Sequence, residues 1–328
     1  MHVGRRGPRP TLLVVTAFLA MAVSLTFEAA SEFILVPVAD EFSLSVDGLN
    51  YLAVVPTVAS LISIFLAGAL AVRYGRRAVL MGSAAIMCAG AALMSLATSL
   101  PVMFAGRVLC GVGGVPLTVV GLSLVNVTFS DPARRAKMFG LMAALTPVVY
   151  ILAPVAGTLI TASIGWRFVP TLWLVAAAVT FFLARISIGA GDPPSSPTEL
   201  VTPVLGGLAL ALACLAISLA GLGFVMWAIA IGIVAAMVMG AVAMALRRSD
   251  RPSLDLRVFR TPGALLAAGA IIFSFALDIS YFVNLYIQLR YQLPLPYLAL
   301  LAILPELAGI AGSLTFGWLA SQIGRAHV

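Results

Sequence analysis

Charge, histidine and lysine are all scarce in this sequence of 328 residues. Only 9% of the residues are charged, against roughly 25% in soluble globular proteins, which excludes a soluble domain. The two histidines, His2 and His327, lie at the extreme ends, which argues against histidine-based catalysis and a buried histidine metal site. The single lysine, Lys137, follows Ala136, so the Gly-Lys pair of an ATP-hydrolysing phosphate loop is absent. We therefore expect neither an enzyme nor a cofactor or metal.

Cysteine is also rare, and apolar residues dominate. Cys88, Cys110 and Cys214 all lie in apolar stretches, so a disulfide framework is not expected. Hydrophobic residues make up 62% of the chain. They form continuous runs of about 20 residues, the length that an α-helix needs to cross a bilayer, rather than the alternating pattern of a barrel. The sequence predicts an all-α integral membrane protein.

The apolar runs divide into ten predicted membrane helices, and positive charge collects on one side of them. With the N-terminus inside, most of the 19 lysine and arginine residues fall at the inner ends of spans, which is the positive-inside pattern. We expect a multi-pass protein of the bacterial cytoplasmic membrane with a cytoplasmic N-terminus. The predicted spans are 11–38, 49–71, 79–99, 102–128, 138–162, 167–186, 201–221, 224–246, 263–289 and 297–320.

One loop carries a recognisable signature. The second span runs into Gly68-Ala-Leu-Ala-Val-Arg73-Tyr-Gly75-Arg76-Arg77, and residues 317–325 partly repeat this string after the tenth span. It resembles the loop between the second and third spans of major facilitator superfamily transporters. In that family the loop is linked to gating, although Val72 stands here where an acid is usual. The plainer alternative is that these arginines only fix the topology.

The resemblance implies an organisation. The repeat of the signature after span ten is similar to the 14-span drug:proton antiporter branch, in which a two-helix hairpin separates two six-helix bundles. We expect residues 1–190 to form an N-terminal six-helix bundle, and 191–260 to form the inserted hairpin and its linkers. Residues 261–328 would be the first two helices of a C-terminal bundle, with four further spans missing from this chain.

Two acids stand in the first span. Glu28 and Glu32 are four residues apart, which places both carboxylates on one helix face. Two close carboxylates in a low dielectric hinder each other's ionisation, which suits reversible proton binding. Family members commonly carry an acid nine residues before a proline in this span, and Glu28 stands nine residues before Pro37. The alternative for Glu32 is simple solvation near the outer surface.

The fourth span carries a buried cation and small residues. Arg107, Gly111, Gly114, Thr118 and Gly121 form one stripe. Small residues let a neighbouring helix approach closely, and the arginine needs a carboxylate or a carbonyl partner. The stripe resembles the family's fourth-span motif, in which the arginine is implicated in proton coupling. A purely structural arginine is the alternative.

The fifth span resembles the family's antiporter motif in part. Gly140, Pro154 and Gly157 match it, whereas Val149, Ala153 and Thr158 replace glycines. The implied role is a bend with close packing that limits leakage between the halves. Ordinary proline kinking is the alternative.

The ninth and tenth spans add candidates for the second half. Asp278 follows Glu28 by 250 residues, close to the offset between the two loop signatures, so we expect it to join the proton-coupling group. Intramembrane polar groups are functional candidates by default. The residues expected to line the substrate cavity are Tyr281, Gln288 and Glu306.

These features predict a secondary transporter that exports small hydrophobic or cationic compounds in exchange for protons, by alternating access and as a monomer. The partners would be the substrate, protons and the lipid bilayer, with no nucleic acid. Two alternatives stay open: a proton symporter or facilitator for a small metabolite, and a non-transporting membrane sensor or inactive fragment.

Overall fold

The computed structural model describes residues 10–31, 34–189, 199–221, 223–248, 306–312, 314–315 and 318. Within these ranges every regular element is an α-helix, which confirms the all-α expectation. Residues 306–312 are helical, and nine further helices are described. Their bounds are α1 Pro10–Ala30, α2 Leu35–Glu41, α3 Val46–Tyr74, α4 Arg76–Ser95, α5 Leu100–Thr128, α6 Pro132–Ser163, α7 Phe168–Ser187, α8 Val201–Gly221 and α9 Val225–Arg248.

Eight of these described helices, all except α2, are long and apolar enough to cross a membrane. Seven of them, α3 to α9, match the second to eighth predicted spans to within four residues, except that α6 begins six residues earlier than predicted. The predicted ninth span, 263–289, lies outside the described residues, and only part of the tenth is described.

The first span differs from the prediction of one continuous helix over 11–38. Helix α1 ends at Ala30, and the short helix α2 begins at Leu35. Pro37 explains the interruption. Inside an unbroken helix its ring would clash with the carbonyl four residues before it, whereas in the first turn of α2 its missing N–H costs nothing.

Polar caps and one glycine set the helix boundaries. The Ser45 side chain accepts a hydrogen bond from Gly48 N at 3.2 Å at the start of α3, and Asp131 accepts one from Ala133 N at 3.1 Å at the start of α6. Gly75 separates α3 from α4 with φ 83° and ψ 151°, a conformation that other residues rarely adopt. Gly75, the second glycine of the loop signature, is therefore required for the turn itself.

Helix α5 lies at the centre of the bundle, with α1, α3 and α4 packed around it. Helix α7 packs against α4 and α1, where the Phe27 and Trp173 rings meet edge to face at 5.3 Å. Helix α8 packs on α3, and α9 packs on α8. The hairpin α8–α9 is thus attached to the outside of the bundle through α3.

A polar cluster fastens the predicted outer ends of three helices. Arg167 donates a bidentate pair to the Glu41 carboxylate, with Nη1 at 2.7 Å from Oε2, and Trp166 Nε1 donates to the same oxygen at 2.9 Å. Arg167 Nη2 also donates to the Ala97 carbonyl at 2.8 Å. We call Glu41, Ala97, Trp166 and Arg167 the outer clamp. It joins α2, the α4–α5 turn and the α6–α7 turn.

We expect Glu41→Gln to lower the free energy of unfolding of the detergent-purified protein by about 0.5–1 kcal/mol. The loss is modest because the side chains of Glu41 and Arg167 are both partly exposed. The hydrogen bonds from Arg167 hold the pKa of Glu41 below its ordinary value of 4.5. The clamp therefore contributes fully above the unfolded pKa and loses its contribution as the pH falls through the folded pKa.

The measurement is the melting temperature of the wild type and of Glu41→Gln as a function of pH. The difference between them should be constant above about pH 5.5 and should shrink in acid. The neighbouring exposed acid offers the matched control Asp40→Asn. A difference that is equally large for both variants, or that does not vary with pH, would contradict the assignment.

Candidate functional site

Glu28 lies near the end of α1 and is contacted from two directions. Ser24 Oγ, one turn earlier on α1, donates to Glu28 Oε1 at 3.4 Å. The Tyr150 hydroxyl, on α6, donates to Glu28 Oε2 at 3.4 Å. Both donors favour the ionised carboxylate, and the acid itself keeps exposed surface. The carboxylate can therefore exchange a proton while two helices hold it in place.

Arg107 is buried, with 1% of its surface exposed. Its Nη1 donates at 3.4 Å to the carbonyl of Ser31, which directly follows α1. The last carbonyls of a helix lack intrahelical partners and carry the negative end of the helix dipole, so they attract a cation. A backbone carbonyl is thus one partner of Arg107.

The glycine stripe of α5 serves two neighbouring helices rather than one. A Cβ at Gly111 would meet the carbonyl oxygen of Pro56 on α3. A Cβ at Gly114 would lie 3.3 Å from Ser24 Oγ, and one at Gly121 would lie 3.0 Å from the Ala17 carbonyl oxygen, both on α1. Small residues therefore bring α5 close to both helices, as the sequence predicts for such a stripe.

The antiporter-like helix α6 also approaches α1. A Cβ at Gly157 would lie 3.5 Å from Ala30 Cβ, so this glycine lies at the contact with the end of α1. Gly140 and Pro154 are half-buried on the same helix. The bend and the barrier to leakage that the resemblance implies for Gly140, Pro154 and Gly157 stay predictions.

The cationic loop bonds to its own bundle. Arg76 Nε donates to Ser123 Oγ on α5 at 2.8 Å, and Arg77 Nη2 donates to the Arg185 carbonyl on α7 at 2.9 Å. The Arg73 guanidinium lies 5.5 Å from the centre of the neighbouring tyrosine ring. Arg76 and Arg77 thus fasten the loop to α5 and α7, a role beyond setting the membrane topology.

Gly68 does not mark a close approach within the described part of the chain. It is exposed, and a Cβ there would have no described atom within 4 Å. The expectation that this glycine lets two helices come together is therefore not met by any described neighbour.

Four predicted site residues lie outside the described residues: Glu32, Asp278, Tyr281 and Gln288. Glu306 is described, is half-buried, and begins the helical segment 306–312. Their roles in proton coupling or in the substrate cavity stay predictions.

Tyr150, the side chain that joins Glu28 to α6, was not predicted from the sequence. A hydroxyl in the middle of an apolar span, three residues after Pro147, is a signal that could have found it. Ser31, whose carbonyl accepts a hydrogen bond from Arg107, was not predicted either, because a backbone acceptor leaves no mark in a sequence.

The arrangement offers ionisable and hydrogen-bonding groups rather than a metal centre. Among the described residues, no group of three or more histidine, cysteine, aspartate or glutamate side chains could hold a metal ion. The site combines three groups: the exchangeable Glu28 carboxylate on α1, the Tyr150 hydroxyl on α6, and the Arg107 cation of α5 beside the end of α1. Such a set can bind and release a proton.

Comparison with known proteins identifies the family. The model of the Major Facilitator Superfamily matches residues 12–327. The chain belongs to the major facilitator superfamily. Solved structures of the superfamily agree with this fold. The human organic anion transporter MFSD10 (TETRAN) superposes with a TM-score of 0.61 at 16% identity, covering 96% of this chain and 73% of that one. The proton:xylose symporter XylE gives a TM-score of 0.56 at 14% identity, covering 93% and 68%.

Several curated members of the superfamily are resistance proteins. The methylenomycin A resistance protein of Streptomyces coelicolor is 29% identical over 243 residues, 71% of this chain and 49% of that protein. The multidrug resistance protein MdtL of Escherichia coli is 30% identical over 138 residues, 42% of this chain and 34% of that protein. The chain thus spans half or less of the length of these relatives. As a superfamily member it is a multi-pass membrane protein of a transporter family.

Proposed function

We propose that this chain acts in proton-coupled export of small hydrophobic or cationic compounds, by alternating access across the bacterial cytoplasmic membrane. The observation that carries the proposal is the carboxylate of Glu28, held inside a membrane-spanning helix by the hydroxyl of Tyr150 from α6. An ionisable group at such a place is costly, and it is found where protons or substrates pass.

The coupling follows from what protonation does to these contacts. The ionised Glu28 accepts hydrogen bonds from Ser24 and Tyr150, whereas the protonated acid loses its charge and part of its accepting capacity. The attraction between α1 and α6 at this point therefore depends on the proton. If the two transport conformations bind the proton and the substrate with different affinities, each one drives the other.

The substrate class rests on the relatives. The printed names of the Streptomyces coelicolor and Escherichia coli proteins refer to methylenomycin A resistance and to multidrug resistance. We transfer export of small apolar or cationic compounds to this chain on that basis.

The proposed organisation keeps the predicted boundaries. Residues 1–190 form the first bundle, 191–260 the hairpin with its linkers, and 261–328 the start of the second bundle. The packing of α8 and α9 on the outside of α3 supports an inserted hairpin. We further propose a cytoplasmic N-terminus, supported by the arginines at the predicted inner ends of the spans, and a monomeric transporter.

The test is proton release driven by a compound. The protein is reconstituted in liposomes with a trapped pH-sensitive dye, and ethidium serves as a cationic probe. Export by exchange predicts that ethidium and protons cross the membrane in opposite directions, and that an imposed pH gradient drives ethidium uphill. If neither ethidium nor an uncharged hydrophobic antibiotic moved protons, the proposal would be wrong, and if neither compound crossed the membrane at all, a sensor or scaffold would be favoured.

A second candidate, a symporter or facilitator for a small metabolite, is favoured by one observation. The helix α6 carries Val149, Ala153 and Thr158 where the antiporter motif has glycines. In the same assay a symporter would move the compound and protons in the same direction, and a facilitator would move the compound without protons.

A further inference from the structure

The predicted tenth span contacts the antiporter-like helix. A Cβ at Gly309 would lie 3.6 Å from Pro147 Cβ and 3.7 Å from Pro147 Cγ. Pro147 is buried on α6. The helical segment 306–312 and α6 therefore meet at this pair of small residues, which places a helix of the second half directly on the first bundle.

The spacing around this contact brings two polar residues to one depth. Tyr150 follows Pro147 by three residues, and Glu306 precedes Gly309 by three. Residues three apart lie on the same helix face and differ in height by about 4.5 Å. In the predicted ten-span topology the fifth and tenth spans run in opposite directions, because their numbers differ in parity. Tyr150 and Glu306 therefore lie on the same side of the Pro147–Gly309 contact, at a similar depth in the membrane.

We propose that Tyr150 is a positioning residue between two acids, Glu28 of the first bundle and Glu306 of the second, so that the proton site spans the two halves. This inference rests on the proposed function and deepens it. It assigns Glu306 to proton coupling instead of to the substrate cavity.

One hydroxyl between two acids is a selective arrangement. A tyrosine hydroxyl donates one hydrogen bond and can accept another. With Glu28 ionised, Tyr150 donates to it, and its oxygen accepts from Glu306 only when Glu306 is protonated. With both acids ionised, the two compete for one proton donor, which disfavours the contact between the halves. The contact is thus strongest when the pair of acids holds one proton.

The first experiment measures the pH profile of ethidium-driven proton release for Tyr150→Phe, Glu306→Gln and the double variant. Loss of the donor to ionised Glu28 should move the midpoint of the profile for Tyr150→Phe upward by about one pH unit. The double variant should shift no further than the larger single change, because the two residues act together. The matched controls are Tyr51→Phe and Asp40→Asn, both exposed, which should leave the midpoint unchanged.

The second experiment tests the placement without relying on transport. The three native cysteines are first replaced by alanine, and Tyr150→Cys and Glu306→Cys are then introduced together. We expect a short bifunctional thiol reagent to cross-link these two cysteines in membranes. The control pair joins Ala144 to Glu306, because Ala144 would face Glu306 only if the two helices ran in parallel. A cross-link to position 144 and none to 150 would overturn the inference.

The two failures can be told apart. If the wild type moves no protons with ethidium or the antibiotic, the proposed function fails, whatever the cross-link shows. If the wild type releases protons, Glu28→Gln stops the release, and Tyr150→Phe behaves like Tyr51→Phe, the inference alone is wrong.

Discussion

Replacing Glu28 by glutamine is expected to abolish substrate-driven proton release. The amide keeps the size of the side chain and can still accept a hydrogen bond from Tyr150, but it cannot take up a proton. Substrate binding should survive because the shape of the site is kept. The measurement is proton release into the medium on addition of ethidium to the reconstituted protein, with ethidium binding measured separately.

The matched control for this change is Asp40→Asn, at an exposed acid outside the spans, which should release protons like the wild type. Glu28→Asp keeps an ionisable group but withdraws it from Tyr150, and should retain part of the release. Undiminished release by Glu28→Gln would contradict the assignment of Glu28 and would move the proton site to Glu32 or Asp278.

Gly111→Ala is expected to cause the largest loss of stability among the glycine variants of the stripe. The added methyl group would meet the carbonyl oxygen of Pro56 and would lie 3.1 Å from its carbonyl carbon, and backbone atoms cannot move aside cheaply. Ser60 Oγ also donates to the Gly111 carbonyl at 3.1 Å, so separating α3 from α5 strains this bond as well. Overpacking of this kind costs about 1–3 kcal/mol.

The comparison that isolates this effect is Gly82→Ala, on the exposed side of α4, where a Cβ would have no described atom within 4 Å. Alanine favours a helix over glycine by roughly 1 kcal/mol at both positions, so the control should be neutral or stabilised. Melting temperature in detergent and yield in membranes are the readouts. Equal melting temperatures for the two variants would show that the α3–α5 contact tolerates a methyl group.

The sequence predicted most helix boundaries because long apolar runs, caps and breakers are local signals. The ends of α7 and α8, at Phe168–Ser187 and Val201–Gly221, were predicted to within a residue or two. The break after Ala30 was missed, since apart from Ser31 and Glu32 the residues up to Pro37 continue the apolar run of α1. The backbone strain that Pro37 would impose is not visible in hydropathy.

The candidate site was predicted only in part. Spacing identified Glu28 and Arg107 as unusual residues, because an ionisable group in an apolar run stands out in any sequence. Their partners, Tyr150 and the Ser31 carbonyl, come from other elements, and helical periodicity gives the face of a residue without the neighbour that covers it. The pairing of helices is a property of the packed bundle, so it had to come from the structure.

The outer clamp has a consequence for how the molecule can move. Its bonds join α2, the α4–α5 turn and the α6–α7 turn, and on the opposite face Arg76 and Arg77 fasten to α5 and α7. We propose that all of these helices belong to one N-terminal bundle, and rotating that bundle as a whole would break none of these bonds.

On the proposed alternating-access mechanism, we expect this bundle to move as one rigid body. The contact between Pro147 and Gly309 joins a proline ring to a glycine without a hydrogen bond. The two helices can therefore slide past each other at this point. The polar bonds within the bundle would then keep it rigid, and beside the apolar Pro147–Gly309 contact only the proposed, proton-dependent link through Tyr150 would oppose its tilting.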